Sequence, residues 1–295
     1  MSEPRSGARS REVYRALQRQ ARKEGRGTQE LFEFYLLERF LFRLSISEYR
    51  DHFVLKGGLL LTAVGARRPT RDVDVLARNI KGAEGSLLSV VREVTAIYVE
   101  DGVSFDASSA RTTMIREQEV YPGIRIVVPA NLGTARLQLR LDINVGDPVH
   151  PRQITYPTGL SDEPFTLLGY PVETVVAEQV DTMITRGDAN TRERDYADVL
   201  MLSRTHALEA RALQKALEET AGYRGTELLP LTDALDTLPT ARQASWRTFV
   251  ERTGLTDLLP ESFEQAVRQV SEFVDPVLRG DPGLDRWNPS ARAWT

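Results

Sequence analysis

Between Phe53 and Ala77 the chain reads FVLKGGLLLTAVGARRPTRDVDVLA, and its segment Asp72-Val73-Asp74-Val75 constrains the fold and chemistry more than any other. Successive side chains on a strand point to opposite faces. A strand here therefore puts Asp72 and Asp74 together, about 7 Å apart at their Cα atoms, while Val73 and Val75 face the core. Two like charges held that close call for a cation. A pair of divalent ions about 3.5–4 Å apart, bridging such carboxylates, clamps the attacking and leaving oxygens of a phosphoryl or nucleotidyl transfer. Upstream, Gly57 and Gly58 open a helix-like apolar run after Lys56. Exposed backbone N–H groups and the helix dipole favour a phosphate there. Arg67, Arg68 and Arg71 flank the carboxylates and suit a polynucleotide backbone. Thr70 precedes Asp72 by two residues, where a phosphoryl group would repel an anionic substrate, so it is a candidate point of control.

The rest of the composition narrows the classes. The chain has 295 residues, 41% hydrophobic and 27% charged, which suits one large or two modest globular domains. It has no cysteine, so disulfides, thiol nucleophiles and thiolate zinc sites are excluded. His52, His150 and His206 show no metal-ligand spacing. No apolar run reaches the length of a membrane span and the N-terminus lacks a signal-peptide core, so the expected location is the cytoplasm, with no membrane partner. The net charge of −4 does not mark a nucleic-acid binder. Its distribution does more, because basic residues crowd the N-terminus as well as the Asp-x-Asp segment.

In chain order, residues 1 to about 10 are rich in Ser, Arg, Gly and Pro and read as disordered. Two helices follow, over REVYRALQRQARKEG, with Ser10 as its expected cap, and over TQELFEFYLLERFLFRLSIS, and a third lies near residues 80 to 100. The period then changes to two, giving strands in VSFDASS, RTTMIREQEVYPGIRIVVPANL and ARLQLRLDINVGD. In the last of these Leu137, Leu139, Leu141 and Ile143 share one face, and Gln138, Arg140, Asp142 and Asn144 the other. Residues 150 to 170 are rich in Pro and Gly and read as an extended crossover; beyond them the pattern is helical. The expected architecture is α+β and bilobed, with a mixed-sheet lobe over residues 1–168 and a mainly helical lobe over 169–295.

The order Gly-Gly, helix, Asp-x-Asp resembles the core of the DNA polymerase β-like nucleotidyltransferase superfamily, which usually has Gly-Ser where this chain has Gly57-Gly58. More closely, FVLKGGLLLTAVGARRPTRDVDVLA, LRLDINVGD and the region around Ala177-Glu178-Gln179 and Arg194-Asp195-Tyr196-Ala197-Asp198 resemble the AbiEii/AbiGii toxin family, which includes the MenT nucleotidyltransferases. The resemblance implies that Asp142 joins Asp72 and Asp74 in holding Mg²⁺ (or Mn²⁺), and that Asp195 serves the same catalytic centre. It implies an NTP bound at Lys56, Gly57, Gly58, Arg71 and position 179, and RNA contacts from Arg67, Arg68, Arg192 and Arg194. The family's lysine at position 179 is Gln179 here. A neutral amide offers the triphosphate hydrogen bonds but no charge.

The implied function is a toxin of a toxin–antitoxin pair that transfers a nucleotide from an NTP to the 3′ end of tRNA and so blocks translation. Its implied partner is a cognate AbiEi-like antitoxin. Two alternatives stay open at this point. One is the same chemistry on a protein or small-molecule acceptor; the other is a catalytically weak nucleotide- or RNA-binding module, motivated by Gln179.

Overall fold

The computed structural model describes residues 3–66, 69–80, 84–115, 123–159, 163–235 and 238–295. Helices α1 (Glu3–Glu24) and α2 (Thr28–Ser45) lead into β1 (Phe53–Lys56), α3 (Gly57–Ala63), β2 (Val73–Ala77) and α4 (Glu84–Ala96). Strands β3 (Val103–Phe105), β4 (Arg111–Ile115), β5 (Gly123–Leu132), β6 (Ala135–Val145), β7 (Arg152–Tyr156) and β8 (Phe165–Gly169) follow. The remainder comprises α5 (Val172–Arg186), α6 (Glu193–Thr205), α7 (Ala210–Arg224), α8 (Leu231–Ala234), α9 (Leu238–Ala241), α10 (Gln243–Thr253) and α11 (Phe263–Arg279), then β9 (Trp287–Asn288) and β10 (Ala293–Trp294). The fold class is therefore α+β. Two compact units are present: Met1–Ala63 with Pro69–Gly146 and Pro151–Gly169, and Val64–Arg68 with Asp147–His150 and Tyr170–Thr295. Among the described residues no helix is long and apolar enough to cross a membrane.

The first unit is built on an eight-stranded mixed sheet in the order β3-β5-β6-β2-β1-β8-β7, with β4 also paired to β5. Its centre is set by alternation. Val73 and Val75 of β2, and Leu137, Leu139, Leu141 and Ile143 of β6, are buried, whereas Asp74 and Asp142 remain partly exposed on the other side of the same strands. β2 and β6 run parallel, and β1 and β5 flank them antiparallel. Helix α2 supplies much of the core through Leu36, Leu37, Phe40 and Leu41. It also carries Arg43, whose buried guanidinium donates to both carboxylate oxygens of Asp101, at 2.6 and 3.2 Å. Neither charge could be buried alone without a large desolvation cost.

Three expectations are corrected here. Residues 3–10 are helical, since α1 begins at Glu3. Ser10 is not a cap but lies inside the helix. Its hydroxyl donates to Gly102 O and accepts from Gly133 N–H, both at 2.7 Å, a long-range satisfaction that local pattern does not reveal. The Pro- and Gly-rich segment after residue 150 is not a bare crossover either. It contains β7 and β8, paired antiparallel, and β8 runs parallel beside β1. The turn residues signalled breaks, but Tyr156, Phe165 and Leu167 are apolar enough to be buried, and the ladder follows from them.

In the second unit α5, α6, α7 and α11 pack around Val176, Val180, Leu200, Leu213, Val270 and Val274, each no more than 1% exposed. Trp246 of α10 is fully enclosed and its indole N–H donates to Pro260 O at 2.8 Å. The tail returns as the β9–β10 pair, where Trp287 and Trp294 both meet the Phe273 ring, at centroid distances of 4.7 and 5.7 Å. Gly222, inside α7, faces open space with no strained dihedral. Gly222→Ala is expected to stabilise the protein by about 0.5–1 kcal/mol, because alanine loses less backbone entropy in a helix. Chemical denaturation measures this directly; a destabilised variant would show that the site is not open.

Candidate functional site

Strand register builds the centre of the site. Lys56 of β1 stands opposite Asp74 of β2, Asp74 beside Asp142 of β6, and Asp142 opposite Arg125 of β5. Directly opposed residues project from the same face with neighbouring Cβ atoms. The four side chains thus form one line across four strands, with charges in the order plus, minus, minus, plus. At one end the Arg125 guanidinium grips Asp142 with both arms, Nε to Oδ1 at 2.7 Å and Nη2 to Oδ2 at 2.6 Å. This bidentate geometry is the strong form of a charge-assisted hydrogen bond.

The bend before α3 is fitted to this line. Gly57 has φ +65°, a conformation that side chains with a Cβ rarely adopt, and a Cβ built there would overlap the Asp74 carboxylate. The glycine is thus required twice, for its dihedral and for the room it leaves before Asp74. Gly58 follows as a buried residue of the first turn of α3.

Asp72 lies just before β2, two residues ahead of Asp74. The Thr70 hydroxyl donates to the Asp72 carbonyl at 3.3 Å. Arg71 turns to α2, its Nε 3.6 Å from a Glu33 carboxylate oxygen, and is largely exposed. Arg67 and Arg68 lie outside the described residues.

The remaining expected site residues belong to the second unit. The Gln179 side-chain amide donates to Asp198 at 3.2 Å and so ties α5 to α6. Asp195 is 1% exposed, with Arg192 Nε at 2.9 Å and Arg194 Nε at 3.6 Å. Beside them Arg224 engages Asp181 at 2.9 Å and Glu178 at 3.4 Å. Burial pushes the Tyr170 hydroxyl well above its ordinary pKa, and the neutral phenol donates to Asp147 at 2.9 Å. Asp147 thus has a structural partner.

Could these residues hold a divalent cation? Among the described residues no group of three or more His, Cys, Asp or Glu side chains gathers into a metal cage. The sheet does bring Asp74 and Asp142 side by side, with the Asp74 carboxylate packed against Gly57. Carboxylate oxygens are the ligands that Mg²⁺ and Mn²⁺ prefer. The donor set fits such an ion in kind, with Asp142 shared with Arg125.

Arg125 is the member of this line that sequence reasoning missed. Its signal was a lone arginine in the apolar strand GIRIVV, in phase with the polar face, but its partner follows only from the β5–β6 register.

A model of the AbiEii family, described as nucleotidyl transferase toxins of type IV toxin–antitoxin systems, matches residues 39–269. Among solved structures, JHP933 from Helicobacter pylori is 13% identical with a TM-score of 0.47, over 86% of this chain and 94% of its own. A candidate nucleotidyltransferase from H. pylori is 12% identical with a TM-score of 0.47, over 86% and 96%. Comparison with curated proteins gives no match.

Proposed function

This chain belongs to the AbiEii family of type IV nucleotidyl transferase toxins, and from that premise we propose that it transfers a nucleotide from an NTP to the 3′ end of tRNA. The observation that carries the reading is the in-register juxtaposition of Asp74 and Asp142 in front of the Gly57 bend. Membership of the family implies an NTP substrate and an antitoxin partner.

In the proposed reaction the triphosphate lies against Lys56 and the Gly57–Gly58 bend, where an ammonium and backbone N–H groups face the anion. Asp72, Asp74 and Asp142 would hold a divalent cation, which when bound neutralises charge on the phosphates and lowers the pKa of the acceptor hydroxyl. The acceptor oxygen forms a bond to the α-phosphorus as the bond to the bridging oxygen breaks, and pyrophosphate leaves. The hydroxyl proton passes to Asp142, whose carboxylate keeps acceptor capacity beyond its two bonds to Arg125. Catalysis comes chiefly from positioning and charge complementarity.

Thr70 is the proposed point of control, since a phosphorylated side chain would lose its bond to the Asp72 carbonyl and add negative charge beside the carboxylates. Incubation of the purified protein with labelled NTPs, Mg²⁺ and total tRNA is expected to label RNA. Label confined to protein or small molecules, or no label with any NTP, would overturn the tRNA reading.

A further inference from the structure

The face of the sheet that carries Asp142 also carries arginines that the catalytic line does not use. On β6, Arg136, Gln138 and Arg140 share the phase of Asp142 and lead up to it over six residues, a path of about 20 Å. On β4, Arg111 stands opposite Val127, which stands opposite Arg140, so Arg111 joins the same face two strands away. Arg111, Arg136 and Gln138 are exposed and Arg140 is half-buried.

A cavity of about 460 Å³ lies along this path, lined among others by Gln29, Glu33, Asp106, Arg136, Gln138 and Arg140. Its two acids are already engaged. Glu33 pairs with Arg71 at 3.6 Å, and Asp106 accepts from the Ser108 and Ser109 hydroxyls at 2.7 and 2.6 Å. Arg111, Arg136 and Arg140, by contrast, make no ion pair or side-chain hydrogen bond among the described residues. In a chain of net charge −4, three arginines without counter-ions on one sheet face are not a by-product of general basicity.

We propose that this β4–β5–β6 face is the track that binds the phosphodiester backbone of the acceptor RNA strand and delivers its 3′ end to Asp142. Guanidinium groups suit phosphate oxygens through their paired donors. The spacing along β6 matches an extended single strand better than a compact ligand, and Gln138 offers an amide to base or ribose edges. An acidic segment of a partner protein is the competing occupant. The assignment rests on the proposed reaction, whose acceptor it locates.

The test compares the full chain with Arg136→Glu/Arg140→Glu and Arg136→Lys/Arg140→Lys in binding labelled tRNA by fluorescence anisotropy across a salt series. Charge reversal is expected to weaken binding at least about tenfold and to flatten the dependence of log K on log salt by about 1.4, the value for two single-strand phosphate contacts. The lysine pair, which keeps the charge, is expected to stay within about threefold. Equal affinity in all three proteins would overturn the track.

Photocross-linking of 4-thiouridine-bearing RNA to the unmodified chain covers the case in which the reversed variant does not fold. Adducts within residues 111–113 and 124–142 support the proposal, and adducts only elsewhere overturn it. Wild-type protein that labels tRNA as strongly as the reversed variant leaves the reaction intact and removes the track. RNA bound at this face without transfer does the opposite. Competition by an antitoxin with no RNA binding would assign the face to protein instead.

Discussion

Asp74→Ala is expected to reduce nucleotidyl transfer by about three orders of magnitude or more, equivalent to roughly 4 kcal/mol of lost transition-state stabilisation. Asp74 occupies the middle of the charged line, with Lys56 on one side and Asp142 on the other. Removing it separates the two flanking functions, because Lys56 then loses the anion opposite it and one of the carboxylates that would hold a divalent cation is gone. The side chain is only half-buried, so the fold should tolerate the change. Asp74→Asn, which keeps shape and removes charge, should be nearly as damaging. Steady-state rates with labelled NTP, read beside a thermal melt, separate lost chemistry from lost structure. A rate within tenfold of wild type, with the fold intact, would remove Asp74 from the reaction.

Gly57→Ala is expected to be harmful in both respects. The positive φ alone costs about 1–2 kcal/mol for a residue with a Cβ. The added methyl must also displace the Asp74 carboxylate, so β1 or β2 has to shift. We expect a stability loss of about 2–3 kcal/mol and a fall in turnover of about a hundredfold or more, since misplacement by an ångström suffices for that. The contrast with Gly222→Ala is diagnostic: the same chemical change strengthens a helix in one place and breaks a site in the other. Urea denaturation and turnover of both variants test it, and a Gly57→Ala protein with normal turnover would show that the bend does not position Asp74.

The strands of the catalytic line were legible because their chemistry is periodic. Alternation in DVDVLA and LRLDINV assigned faces before any pairing was known, and the valines and leucines lie buried as that alternation requires. What the pattern could not supply was which strand lies beside which. The parallel pairing of Asp74 with Asp142 spans 68 residues of sequence, and the grip of Arg125 on Asp142 requires the register of a hairpin whose near end is at Gly133. β7 and β8 were missed for a related reason. Proline and glycine mark where chain direction changes, and they were read as marking where structure stops. Ser10 illustrates the third limit, since a serine near a helix start suggests a cap until Gly102 and Gly133 claim its hydroxyl.

The cross-strand arrangement has an electrostatic corollary. Arg125 and Lys56 enclose two carboxylates between them, so the formal sum along the line is zero. A polyanion approaching this surface meets a balanced quadrupole-like array rather than a negative wall, and little long-range repulsion has to be overcome before contact.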